Sequence, residues 1–325
     1  MSGTEPWAVL RVPERDIPVP RSISPEAQAV LARGVIEGGE HPPLDDLDAW
    51  RKMIATSGQT VLEMLTRGLS EDVEVEEIRL EGVPTFVITP RGLDPGDTRA
   101  YLDIHGGALI HGAGELCRVM AIRTATRFGI RVYAPDYRMP PDDPYPAPLD
   151  DCLSAYRGVL AKHRAEQVAV GGGSAGGNLA AALILRAKDE GLPLPAAALL
   201  LSPEVDLTES GDTFKTMVGI DTVGGGKSLM PVNLLYANGH DLSHPYLSPL
   251  FGDFTTGYPP TLLTSGTRDF FLSNTVRMHR ALRSAGIEAD LHVMEAGPHS
   301  GFMADTPEER ELDAEIRRFI GAHLD

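Results

Sequence analysis

The sequence predicts an α/β protein, a mostly parallel central sheet flanked by helices, and three observations carry that expectation. From Arg99 onward, short apolar runs at 100–104, 131–134, 167–170, 197–201, 261–264 and 290–294 alternate with helical stretches at 119–128, 149–164, 178–189, 273–284 and 308–323. Strands that return in parallel through crossover helices leave this pattern. The chain has 325 residues, of which 42% are hydrophobic, enough to bury a large core. At 168–178 a strand runs through a glycine-rich turn straight into a helix, Val-Ala-Val-Gly-Gly-Gly-Ser-Ala-Gly-Gly-Asn.

The elements before Arg99 differ in kind. Ser24-Pro25-Glu26 has the cap and first-turn proline of a helix start, and Ala27, Val30, Leu31 and Ile36 give that helix an apolar stripe. A second helix is expected over 44–69, with Leu47, Trp50, Ile54, Val61, Leu62 and Leu65 at mixed helical spacing. Val73 to Leu80 and Thr85 to Thr89 read as strands of a hairpin around Gly82-Val83-Pro84. Further on, the interval 202–260 separates two strands by far more chain than an ordinary connection needs, and such excursions are usually functional inserts. The expected division is therefore cap helices at 1–72, the first part of the core at 73–203, a cap insert at 204–258 and the rest of the core at 259–325.

Charge and composition narrow the partners. A net charge of −17 with no clustered Lys and Arg repels phosphate backbones, so no nucleic acid is expected. The longest apolar runs, 179–185 and 196–201, are too short to span a bilayer. Met1 to Pro6 lacks a basic start followed by an apolar run, and Cys117 and Cys152 are too few for a disulfide framework. A cytoplasmic protein with inert thiols and a small, uncharged partner is the expectation; a homo-oligomer is left open.

The chemistry centres on Ser174. Gly172-Gly173-Ser174-Ala175-Gly176 fits G-x-S-x-G, in which a serine sits on a tight strand-to-helix turn with glycine two residues to either side. Gly171, Gly173 and Gly176 also satisfy the dinucleotide fingerprint G-x-G-x-x-G. Against it, the motif falls in mid-chain and the next strand ends at Glu204, nearer thirty than the usual ~20 residues later. Three other segments favour the nucleophile. His105-Gly106-Gly107-Ala108 follows an early strand like a loop that offers backbone N–H groups to an oxyanion, with Ala175 N–H as a further donor. Asp269 follows the run 261–264, and His299 lies in the loop after the last strand. The order Ser, Asp, His is the one expected for a fold with this turn, so Ser174, Asp269 and His299 are the expected nucleophile, orienting acid and general base.

Together with Asp136-Tyr137-Arg138, Pro140 and Tyr145-Pro146-Ala147-Pro148-Leu149-Asp150-Asp151, these segments resemble the hormone-sensitive-lipase-like family of bacterial esterases and lipases. The resemblance implies an α/β-hydrolase fold with a helical cap, hydrolysis of small to medium acyl esters through an acyl-enzyme, and no cofactor. Ala108 departs from the family's third loop glycine and Gly173 from its usual aspartate; the Ala108 methyl is expected to narrow the site. A lactone hydrolase with the same residues and a non-catalytic receptor on this scaffold are the alternatives. Gly224-Gly225-Gly226-Lys227-Ser228 lacks the first glycine and the leading strand of a phosphate loop and reads as a flexible cap loop. His240 and His244 lie beside Gly239 and Pro245, so no metal site is expected. Met217, Met230 and Tyr236 are candidates for pocket lining or for plain packing.

Overall fold

A computed structural model describes residues 10, 12–36 and 39–324; the Met1 to Pro6 stretch lies outside them. Two helices lead, α1 (Pro25–Leu31) and α2 (Leu47–Thr66), followed by β1 (Val73–Leu80), β2 (Val83–Pro90), β3 (Ala100–Ile104), α3 (Glu115–Phe128), β4 (Arg131–Pro135), α4 (Ala147–Leu160), β5 (Val168–Gly173), α5 (Ala175–Asp189) and β6 (Ala197–Leu201). The insert carries α6 (Thr213–Thr216) and α7 (Met230–Ala237), and the chain closes with β7 (Thr261–Gly266), α8 (Leu272–Ser284), β8 (Ala289–Met294) and α9 (Pro307–His323).

One eight-stranded sheet runs in the order β1-β2-β4-β3-β5-β6-β7-β8. β1 and β2 form the expected hairpin, and β2 meets β4 antiparallel; every later pairing is parallel. β5 lies between β3 and β6 with every residue but Gly173 buried. A continuous apolar run is what a strand covered on both faces demands. One face packs α4 and α5 through residues such as Leu153, Tyr156, Leu179 and Leu183; the other packs α3 and α9 through Cys117, Ile122, Ile316 and Phe319. Cys117 and Cys152 are both buried free thiols, and burial pushes their pKa values up.

The two leading helices part company. Ser24 Oγ accepts from Ala27 N–H at 3.1 Å to cap α1, a contact worth about 1 kcal/mol. The same hydroxyl donates to Glu308 at 2.8 Å, and Ala27 and Leu31 join the core cluster beside α9. α1 thus packs on the core rather than on the insert, against the expectation that groups it with the cap. Its stripe also ends early: Ile36 lies beyond the helix and forms a bridge with Val223 of the insert. α2, by contrast, buries Trp50 against Val232 and Leu235 of α7.

Candidate active site

Sterics at the elbow are severe. Ser174 has φ 57° and ψ −122°, a conformation that costs a non-glycine residue about 1–3 kcal/mol and persists where its surroundings impose it. A Cβ on Gly172 would stand 2.1 Å from the Ile104 carbonyl oxygen, and one on Gly176 only 1.9 Å from it. Both glycines are therefore obligatory for β3, β5 and α5 to pack this closely. At Gly173 the nearest atom to such a Cβ is 3.7 Å away, so this position, where the resemblance implies aspartate, is sterically open. Ser174 N–H is anchored to Leu201 C=O at 2.9 Å.

The structure brings all three expected side chains together. Ser174 Oγ lies 2.9 Å from His299 Nε2, and His299 Nδ1 lies 3.2 Å from Asp269 Oδ1. An Nδ1–H donating to the carboxylate leaves Nε2 as acceptor for the serine proton. Asp269 also accepts from Ser265 Oγ–H at 2.6 Å and from Phe271 N–H at 2.8 Å. Burial alone would raise its carboxyl, but the bonds from His299, Ser265 and Phe271 outweigh burial and hold it below the ordinary value. Burial likewise opposes charge on His299; the hydrogen bond and charge of Asp269, with Asp221 and Glu204 adding to them, still raise the imidazole above its usual 6.5. The Phe271 ring meets His299 edge-on at 4.8 Å between centroids and limits where the imidazole can turn.

Gly106 lies against this elbow. A Cβ on Gly106 would be 2.7 Å from Gly173 C=O and 3.5 Å from Ser174 Cβ, while Gly107 has φ +128°. Ala108 has φ 51°, which explains why glycine is favoured there. Its methyl packs against the Trp50, Ile110, Val232 and Leu235 cluster, at the seam between loop and insert. Ala175 opens α5, its N–H at the positive end of the helix. Behind the loop, His105 Nδ1–H donates to Gly106 C=O at 2.9 Å and the ring stacks on Tyr137 at 4.1 Å. Burial lowers its pKa to about 4, so the ring is neutral. Tyr137 O–H donates to His105 C=O at 2.7 Å, and Arg138 grips Asp151 through Nε at 3.0 Å and Nη2 at 2.8 Å. The segment singled out as Asp136-Tyr137-Arg138 thus braces the loop. Beyond it, a cleft of about 200 Å³ opens between α2 and the loop, lined by Ile54, Leu62, Ile110, His111 and Met139 and by none of Ser174, Asp269 or His299.

Two acids near the site escaped the sequence. Asp221 accepts from the backbone N–H of both His299 and Phe270. Glu204 is fully buried, donates its N–H to Ser174 C=O at 3.2 Å, and has no well-formed hydrogen bond to either carboxylate oxygen among the described residues, the Asn233 amide standing nearby. Burial pushes its pKa up to about 8, against the opposing pull of Asn233 and His299. Nothing in the local pattern marks either one, because their partners come from other segments. Other expectations sort themselves. Gly224 to Gly226 form a short turn in which Gly225 and Gly226 are buried, Gly226 close against Met217 C=O, while Gly224 is exposed. Tyr236 is core, edge-on to Tyr145, and Met217 packs on Phe214, Phe270 and Phe271. His240 and His244 instead contact Tyr145 and Tyr246. Among the described residues, His105, Cys117 and Asp136 alone gather metal-capable atoms, yet His105 Nδ1 already bonds Gly106, the Cys117 thiol lies near the Ala134 and Pro135 carbonyls, and Asp136 accepts from Gly114.

A parallel sheet with this elbow at its C-terminal edge defines a class, the α/β hydrolases. Residues 101–303 match a family model described as alpha/beta hydrolase fold. An acetyl-hydrolase of Streptomyces hygroscopicus is 34% identical over 191 residues, 58% of this chain and 64% of that relative. The crystal structure of an esterase superposes with a TM-score of 0.89 at 34% identity, covering 98% of this chain and 99% of the other. An esterase from the bacterial hormone-sensitive lipase family gives 0.78 at 30% identity, covering 93% and 99%. The chain belongs to the alpha/beta-hydrolase-fold family, among its hormone-sensitive-lipase-like esterases. No helix of the described residues is long and apolar enough to cross a membrane.

Proposed function

We propose that this chain hydrolyses carboxylic esters of small to medium acyl groups through an acyl-enzyme on Ser174. The observation that carries the proposal is the unbroken relay from Ser174 Oγ to His299 Nε2 at 2.9 Å and from Nδ1 to Asp269 at 3.2 Å. Ser174 Oγ attacks the ester carbonyl as His299 Nε2 takes its proton, and Asp269 stabilises the imidazolium so formed. The carbonyl oxygen becomes an oxyanion, held by N–H donors drawn from Gly106, Gly107, Ala108 and Ala175. Collapse breaks the bond to the leaving alkoxide, which receives the proton from His299. Water, deprotonated by the same imidazole, then attacks the acyl-enzyme and returns Ser174 to its free form.

Substrate size follows from a relative named acetyl-hydrolase and from a loop backed by the buried Trp50 cluster. The proposed partners are a small uncharged ester and water, in the cytoplasm, with a lactone as the alternative substrate. Ser174→Ala should lower kcat for p-nitrophenyl acetate by about 10⁶-fold while leaving the circular dichroism spectrum unchanged, and a fluorophosphonate should label the wild-type chain at Ser174 alone. Retained turnover in the alanine variant would overturn the assignment. A series of p-nitrophenyl esters run beside five- and six-membered lactones decides the substrate class. Because His299 must be neutral to act, activity should fall with acid, and the limb should centre above 6.5, where Asp269, Asp221 and Glu204 push the imidazole.

A further inference from the structure

The insert reaches the site at Asp221. This carboxylate is fully buried. Its Oδ1 accepts from His299 N–H at 3.2 Å and from Val223 N–H at 2.9 Å, while Oδ2 accepts from Phe270 N–H at 2.8 Å. Phe270 directly follows Asp269, so a single side chain ties the loop of the acid to the loop of the base. An ionised carboxylate is the acceptor such a set of three donors suits, since it offers acceptors only.

We propose that Asp221 is a positioning residue for the Asp269–His299 pair: it holds the two loops at one separation and places a second negative charge beside the imidazole. The inference rests on the roles proposed above for Ser174, Asp269 and His299. The titratable groups facing His299 are Asp269, Asp221 and Glu204, and those facing Asp221 are His299 and Asp269. Burial raises the Asp221 carboxyl above its ordinary value, against the pull of His299 and of the Val223 and Phe270 N–H groups. A charge in that place favours the imidazolium, which forms as the reaction proceeds and is absent from the resting site. Its loss therefore falls on kcat rather than on KM.

The test compares three variants with p-nitrophenyl acetate. Asp221→Asn removes the charge and turns an amide NH₂ toward one of the backbone donors. Its kcat should fall by about ten- to a hundredfold, with KM within about twofold, and the acid limb of kcat/KM should move to lower pH. Asp221→Glu keeps the charge on a longer arm; its kcat should fall while its acid limb stays near the wild-type position. Thr213→Val removes a hydroxyl that donates to Phe270 C=O at 2.7 Å and accepts from Ser273 N–H at 3.0 Å. It loosens the same insert without altering charge, so the melting temperature should drop and the limb stay in place.

An Asp221→Asn enzyme with wild-type kcat and limb overturns the proposal, as does one that loses kcat with an unmoved limb, or one changed in KM alone. If Asp221→Asn does not fold, Asp221→Glu decides: lowered kcat with an unmoved limb sustains the proposal, and full activity or a limb shifted down overturns it. Fluorophosphonate labelling separates the two levels. A wild-type chain that does not label at Ser174 sinks the reaction itself, whereas normal labelling with a silent Asp221 sinks this inference only.

Discussion

The Ser174 side and the Asp269–His299 side of the candidate site are built by different means. On the Ser174 side one contiguous stretch, β5 through the elbow into α5, fixes the serine, and rigidity comes from sterics: Gly172 and Gly176 leave no room for a Cβ beside the Ile104 carbonyl. On the other side, Asp269 and His299 sit on separate loops 30 residues apart in the chain, and buried polar contacts hold them. Ser265, Phe271 N–H and the insert's Asp221 supply those contacts. The insert adds Thr213 on Phe270 and a Phe214, Phe270, Phe271 cluster. Packing of backbone on backbone tolerates no substitution but needs no partner. A polar clamp spreads its tolerance over several residues and depends on charge, so the two halves should fail differently when perturbed.

The largest separation is expected at Asp269. Asp269→Asn leaves shape nearly intact but no longer enforces the Nδ1–H tautomer, and kcat should drop by about 10⁴-fold with little change in melting temperature; a loss smaller than tenfold would deny the orienting role. The opposite signature belongs to Gly176→Ala. A methyl placed 1.9 Å from Ile104 C=O should cost at least about 3 kcal/mol, at the upper end of overpacking penalties, read by denaturant unfolding. Gly173→Ser is the internal control, since its side chain enters open space and stability should stay within about 0.5 kcal/mol. Equal losses at 173 and 176 would break the steric account.

An effect that depends on pH is expected at Glu204, which touches both halves. Its pKa lies at about 8 in the folded chain against an ordinary 4.5, so the folded state binds the extra proton. The stability this confers is whole below 4.5 and is lost as pH climbs toward 8. Glu204→Gln keeps the shape of the neutral acid and cannot ionise. Its melting temperature should gain on the wild type progressively between those pH values and level off above them; a gap independent of pH would show that the carboxyl does not titrate in this range.

Much of this was legible in the sequence, for a reason that differs from element to element. β5, the elbow and α5 could be read because the constraint and the residues that satisfy it lie within a few positions of one another. Asp269 and His299 were singled out through chain order, each placed just past a strand end, where parallel sheets gather functional side chains, and their side chains meet beside Ser174. Asp221 and Glu204 could not be read. Asp221 finds Phe270 49 residues away and His299 78 residues away, and neither distance leaves a periodic trace. α1 was misassigned for the same reason: its tie to Glu308 spans 284 residues, while its sequence resembles any capped amphipathic helix. The glycines at 224–226 read as slack because glycine is permissive, yet each has a positive φ, and Gly225 and Gly226 pack closely on Val35 and Met217.

By itself, the sequence determined the alternation of strand and helix and the serine turn with its two obligatory glycines, because each is written in spacings shorter than one crossover unit, and it pointed to Asp269 and His299 by their places after strands. The tertiary structure decided which buried acids surround the imidazole, that α1 belongs to the core, and that Ala108 turns its methyl toward the insert. Those outcomes depend on which distant segments share a dry volume, and the free energy of burying a charge is set by the neighbours that arrive there.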